Sequence, residues 1–198
     1  MKIKSITKIK SDAKRYDIEV EKNHNFYANN ILVHNSSVYT EYFHARSLDS
    51  KHHPSRSWLK NYITNWQHEI PMGWRFCGEN MYAKHSIYYK NLQSYFYLFS
   101  IWNEKNMCLS WKDTIEYAQL LDLVTVPVFY EGIFDLDRIH RIFEDNFDDN
   151  EGYVIRLADS FHYNDFGKSV AKWVRKNHVQ TSEHWMFEQI VPNKLINN

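Results

Sequence analysis

The 198-residue sequence has two cysteines, Cys77 and Cys108, far apart and in unrelated surroundings. That pattern excludes a disulfide framework and a zinc knuckle, and fits a reducing compartment such as the cytoplasm. Glycine and proline are scarce, at five and four residues, while 43% of the chain is hydrophobic, so a folded core is expected. Charge of one sign is also lacking. The formal net charge is zero and the pI about 7.2, so bulk charge announces no polyanionic partner, and any basic surface has to be local. No apolar run approaches membrane-spanning length. The basic start "MKIKSITKIKSDAK" has no apolar core of signal-peptide length, and no membrane partner is expected. There is no internal repeat and no low-complexity tract. The length fits one domain, or one domain with a small module. What the sequence does have is aromatic side chains, 17% of all residues. Some must be core, and others are available to stack on the rings of a ligand.

The texture changes near residue 36. Before it, "KIKSITKIK" sets Ile3, Ile6 and Ile9 among lysines, "YDIEVE" alternates, and "NFYANNILV" reads as a strand interrupted by an Asn turn. This is a small all-β pattern, too short to bury a stable core alone. After it, "VYTEYFHARS" predicts a strand. "SRSWLKNYITNWQHEI" predicts a helix behind a serine cap, with Trp58, Leu59, Tyr62, Ile63 and Trp66 at helical spacing. "RFCGE", "YFYLFSIW", "VTVPVFY", "EGYVIRLA" and "SVAKWVRK" predict strands. "SWKDTIEYAQLLDL" predicts a helix capped by Ser110 with Asp113 in its first turn, and "DLDRIHRIFEDNF" predicts a second capped amphipathic helix. The order is mixed α+β with mostly antiparallel strands, and not an alternating βαβ series.

His34, Asn35 and Ser36 carry a recognisable chemistry. An Asn side-chain amide can attack its own backbone carbonyl and cleave the following peptide bond. A neighbouring His can polarise that carbonyl or protonate the leaving amine, and a Ser just beyond the bond can accept an acyl group. With the upstream context "YDIEVEKNHNFYANNILVHN", residues 1–35 resemble the C-terminal region of an intein, a Hint-type all-β fragment. The resemblance implies Asp17 and His24 as supporting residues. Because the larger N-terminal intein part does not precede this segment, the expectation is the C-terminal piece of a split intein.

Residues 36–198 carry a second set of motifs in fixed order. Arg46 lies in "HARSLDS", Glu79 in "GENMYAKHSIYY" and Phe99 in "YFYLFSIW". Glu151 opens "EGYVIR", and Lys172, Arg175 and Lys176 lie in "SVAKWVRK". Each alone is commonly a hairpin entry, a buried strand or a solvated face. Together they resemble the ATP-dependent RNA ligases of the nick-sealing type, within the covalent nucleotidyltransferases. The fold implied is a mixed, mostly antiparallel nucleotidyltransferase domain lacking its N-terminal strands. The chemistry implied is lysyl-adenylate formation, transfer of AMP to an RNA 5′-phosphate, and sealing by a 3′-hydroxyl. The residues suit that chemistry. Phe99 can stack on adenine, and Glu79 can accept from the ribose hydroxyls. Arg46 can bind phosphate, Glu151 can hold Mg2+ through water, and Lys172 can neutralise the charge of the leaving group.

Two departures stand out. The family's nucleophile sits in a Lys-x-Asp-Gly motif, which these 198 residues lack; "KSDA" at 10–13 has no glycine and falls in the intein-like segment. The last motif has Trp173 and Val174 after Lys172, so its second cation is either Arg175 or Lys176. The expectation is therefore a precursor half, joined at Ser36 by trans-splicing to a separately encoded partner that carries the lysine motif. The other open reading is a non-catalytic nucleotide- or nucleic-acid-binding module, and nicked DNA remains open as a substrate beside RNA. His44, His52 and His53 are not at metal-ligand spacing, and "EDNFDDNE" reads as a solvated loop.

Overall fold

The computed structural model describes residues 3–9, 15–20, 27–28, 31–32, 36–44, 54–84, 87–144, 152–174 and 191–196. Two short antiparallel ladders come first. β1 (Ile3–Ile9) pairs with β2 (Arg15–Val20), and β3 (Tyr27–Ala28) pairs with β4 (Ile31–Leu32). The strands expected from "KIKSITKIK", "YDIEVE" and "NFYANNILV" are therefore present.

The main body is a six-stranded antiparallel sheet. It contains β5 (Ser36–Val38), β6 (Phe43–His44), β7 (Arg75–Asn80), β8 (Phe96–Trp102), β9 (Met107–Cys108) and β11 (Phe161–His162), in the order β11-β9-β8-β7-β5-β6. A two-stranded ribbon, β10 (Gly152–Arg156) with β12 (Val170–Val174), stands beside it. The helices are α1 (Pro54–Ile63), α2 (Trp111–Leu120), α3 (Leu136–Glu144) and the single turn α4 (Phe166–Ser169). No helix among the described residues is long and apolar enough to cross a membrane.

The core forms on one face of the large sheet because alternate residues of its central strands are apolar. Val38, Phe76, Phe96, Leu98 and Ile101 are buried against Leu59, Ile63 and Trp66, which follow the helical spacing of α1 and its extension, and against Ala118 of α2. The α2 cap forms as its sequence predicts. Ser110 Oγ accepts from the Asp113 amide at 3.1 Å and donates to Asp113 Oδ2 at 2.7 Å. Asp135 caps α3 by accepting from the Arg138 amide at 3.0 Å.

Three local expectations are corrected. Residues 36–44, expected from Val38 on to be one strand, form a hairpin: the Tyr39 amide donates to Tyr42 O at 2.8 Å, and Ser37 then faces His44. The alternating pattern is the same for one strand or for two folded back, so periodicity alone does not separate them. Pro54 opens α1, where its missing N–H costs nothing, so Ser55 lies inside the helix and is not its cap. "VTVPVFY" is not a strand. Only Thr125 bridges to Leu98, and Pro127 has no amide to continue a ladder.

Candidate nucleotide site

The second face of the large sheet is built differently, and a single extra residue creates it. Cys77 pairs with Ser100 and Gly78 with Leu98, which leaves Phe99 without a partner on β7. Such a bulge reverses the alternation of β8. Before it the even residues Phe96 and Leu98 enter the core; beyond it the odd residue Ile101 does. Phe99 is thereby turned out of the core. It packs, half-buried, against a second cluster of Cys77, Trp102, Cys108 and Phe161. β7 keeps regular alternation, so Glu79 lies on the same face as Cys77. Glu79 pairs with Tyr97 and sits diagonal to Phe99.

The β10–β12 ribbon closes on this face. Val170 packs against the second cluster, and Lys172 follows two residues along the same side of β12. The ribbon's other side carries Tyr153 and Trp173, stacked at 5.3 Å between centroids, under His140 and Phe143 of α3. Arg156 ties the ribbon to the sheet. Its guanidinium donates to Phe99 O at 3.2 Å and Leu109 O at 2.8 Å, and Nε donates to Leu157 O at 3.0 Å. The same group lies over the rings of Trp111 and Phe161 at 5.7 and 5.6 Å. The Phe99 carbonyl, displaced from the ladder by the bulge, is satisfied by this arginine.

Phe99 and Glu79 thus share one face of the sheet, and the ribbon that carries Lys172, 93 positions from Glu79, packs on the same cluster through Val170. The aromatic ring and the carboxylate suit a purine nucleotide, and an ammonium suits its phosphates. Ser36 lies elsewhere, on the core face of β5 opposite Gly78, and is only 4% exposed. Asp17 sits in β2 opposite Thr7. His24, His34, Asn35, Arg46, Glu151, Arg175 and Lys176 lie outside the described residues. Among the described residues no group of three or more His, Cys, Asp or Glu side chains could hold a metal ion. Glu151, to which the Mg2+ expectation is assigned, lies outside those residues.

Both thiols are free and buried. Burial pushes Cys77 up, against smaller opposing effects of Ser37, Arg75 and Ser100. Burial likewise pushes Cys108 up to about 11, partly offset by Arg156.

The sequence reading missed the Phe99 bulge, Arg156 and Asn193. Arg156 had a signal, since a charged residue on the inward side of an alternating strand demands a partner. Asn193 had none. It is 2% exposed and knots the C-terminal segment to the loop after β7: Nδ2 donates to Met81 O at 2.8 Å, and Oδ1 accepts from the Tyr89 amide at 2.9 Å.

A family model described as RNA ligase matches residues 21–174, beginning upstream of Ser36 and ending with β12. No curated protein and no solved structure matches the chain.

Proposed function

Because the chain belongs to the RNA ligase family, we propose that it supplies most of the nucleotide site of an ATP-dependent enzyme that joins RNA 5′-phosphate and 3′-hydroxyl ends. The observation that supports this reading is the bulge that turns Phe99 onto the face of the sheet that carries Glu79, against which the ribbon bearing Lys172 packs through Val170. In the proposed reaction a lysine amine attacks the α-phosphorus of ATP, a P–N bond forms, and pyrophosphate leaves. The AMP then passes to a 5′-phosphate oxygen of RNA. Finally the 3′-hydroxyl attacks that phosphorus, and AMP departs as the strand closes. Phe99 stacks on the base and Glu79 accepts from the ribose. Arg46 binds phosphate, and Lys172, with Arg175 or Lys176, offsets the charge on the leaving groups. Mg2+, held through water by Glu151, would neutralise the phosphates.

The attacking lysine is absent from these 198 residues in motif form. In this proposal it arrives from a separately encoded partner by trans-splicing. The partner's acyl group, held as an ester or thioester on the first residue of its intein segment, passes to Ser36 Oγ and frees that first residue's side chain. Asn35 then cyclises and cuts the bond before Ser36, with His34 polarising the carbonyl and Asp17 and His24 in support. The freed Ser36 amine takes the acyl group from Oγ to form the peptide bond. Ser36 is 4% exposed in the folded sheet, so acyl transfer to it requires β5 to be undocked. Splicing would then precede the final packing of the ligase sheet.

The test is co-expression with a chain ending in Lys-x-Asp-Gly and an N-terminal intein segment, then mass measurement of the product and labelling with α-labelled ATP. Asn35→Ala should block release of the joined product. Lys172→Ala should leave splicing intact and abolish sealing. Stable label on residues 36–198 without the partner would refute the trans-supplied nucleophile. A joined product that binds nucleotide but takes no label would favour a non-catalytic module.

A further inference from the structure

The neutral net charge conceals a local imbalance. Residues 54–66, 81–95 and 191–196 hold Arg56, Lys60, Lys84, Lys90 and Lys194, and not one Asp or Glu. These three segments pack together. Trp58 of α1 stacks on Tyr82 at 6.3 Å and meets Tyr95 edge-on at 5.2 Å. The C-terminal segment bonds both arms of the 81–95 loop. The Lys84 amide donates to Val191 O at 2.8 Å, the Lys194 amide to Tyr89 O at 2.9 Å, and the Leu92 amide to Lys194 O at 2.9 Å. Lys60, Lys84, Lys90 and Lys194 are all exposed. Among the described residues none of these four makes an ion pair; the pairs present are His68–Glu69 and Lys168–Asp165. Burial first, and the charge of Asp122 last, push the Tyr62 hydroxyl up, so one carboxylate outside the three segments does border the helix.

We propose that the cationic surface formed by α1, the 81–95 loop and the C-terminal segment holds the phosphate backbone of duplex RNA at the end of the sheet where that loop meets the nucleotide face. The inference rests on the RNA ligase reading and adds where the polynucleotide lies. Charge complementarity selects a polyanion. Continuity selects the substrate: the loop leaves β7 just after Glu79 and enters β8 just before Tyr97 and Phe99, so its base borders the nucleotide face. The Trp58–Tyr62 stack at 4.9 Å and the Asn193 bonds hold the cations on a rigid base, which lowers the ordering cost of binding.

The test uses the whole 198-residue chain and a fluorescein-labelled nicked duplex RNA, with anisotropy titrations across a series of salt concentrations. The double variant Lys60→Glu, Lys90→Glu is compared with Lys105→Glu, Lys112→Glu, which changes net charge equally on another part of the surface. The patch variant should lose about ten-fold or more in affinity, and its salt slope should fall by about two, near 0.9 for each phosphate contact. The control should stay within about two-fold, and both should keep the parent far-UV spectrum and melting temperature. Equal losses in both variants, or no loss in the patch variant, would overturn the proposal. So would binding of an acidic polypeptide in preference to RNA. Adenylate labelling of the joined enzyme involves no RNA, so it tests the ligase reading separately.

Discussion

Replacing Arg156 with Ala would separate the two layers of the nucleotide site. The guanidinium donates to Phe99 O and Leu109 O, at 3.2 and 2.8 Å, and so spans from β10 to β8 and to the segment entering α2. A hydrogen bond from a charged donor contributes roughly 1.5–3 kcal/mol. Arg156 is partly exposed, which places each bond at the low end of that range, so the loss for two is about 3 kcal/mol. Arg156→Lys should recover about half of that, because one ammonium on a single stem replaces a planar fork aimed at two carbonyls. The assay is urea unfolding of the 198-residue chain, read as a shift in midpoint at unchanged slope. The ring of Phe99 would also lose its anchor, so binding of a fluorescent ATP analogue should weaken in the Ala variant more than in the Lys variant. A stability loss in Arg156→Ala below about 1 kcal/mol, or Lys as damaging as Ala, would refute the view that the arginine clamps the bulge.

Gly78→Ala should be disruptive, because a Cβ there would lie 2.3 Å from Cζ of the fully buried Phe96. Overpacking costs typically 1–3 kcal/mol, and Phe96→Leu in the same chain should recover part of it in a thermal melt. Asn193→Ala leaves the Tyr89 amide and Met81 O without their partner in a buried site. A loss of about 2–4 kcal/mol is expected, with faster hydrogen exchange at Tyr89. Phe99→Ala should raise the ATP requirement of the joined enzyme, at about 1–3 kcal/mol for the lost stacking, and leave splicing unchanged. The Cys108 thiol is raised from 9.0 to about 11 by burial, so the folded chain holds a proton that the unfolded chain releases between those values. Its contribution is complete below about pH 9 and declines as pH rises toward 11; a Cys108→Ala variant should show a flatter fall in stability over that window.

The sequence by itself determined most of the elements and the apolar stripe of the first helix. Leu59, Ile63 and Trp66 fall on one stripe because helical spacing is a local property. The Ser110 and Asp135 caps lie within three residues of the amides they bind. The candidate ligands Glu79, Phe99 and Lys172 were legible as residue types in an ordered set. What only the tertiary structure decided is which face each one occupies. "YFYLFSIW" read as an uninterrupted strand, and the bulge that turns Phe99 out of the core appears only in the register between β7 and β8. The hairpin at Tyr39–Tyr42 shares its alternation with a single strand. The hydrogen-bond partners of the Arg156 and Asn193 side chains lie 47 or more positions away, apart from Leu157 O. A hydrogen bond closed across that span leaves no periodic trace in the chain, because its geometry is set by packing of the whole sheet.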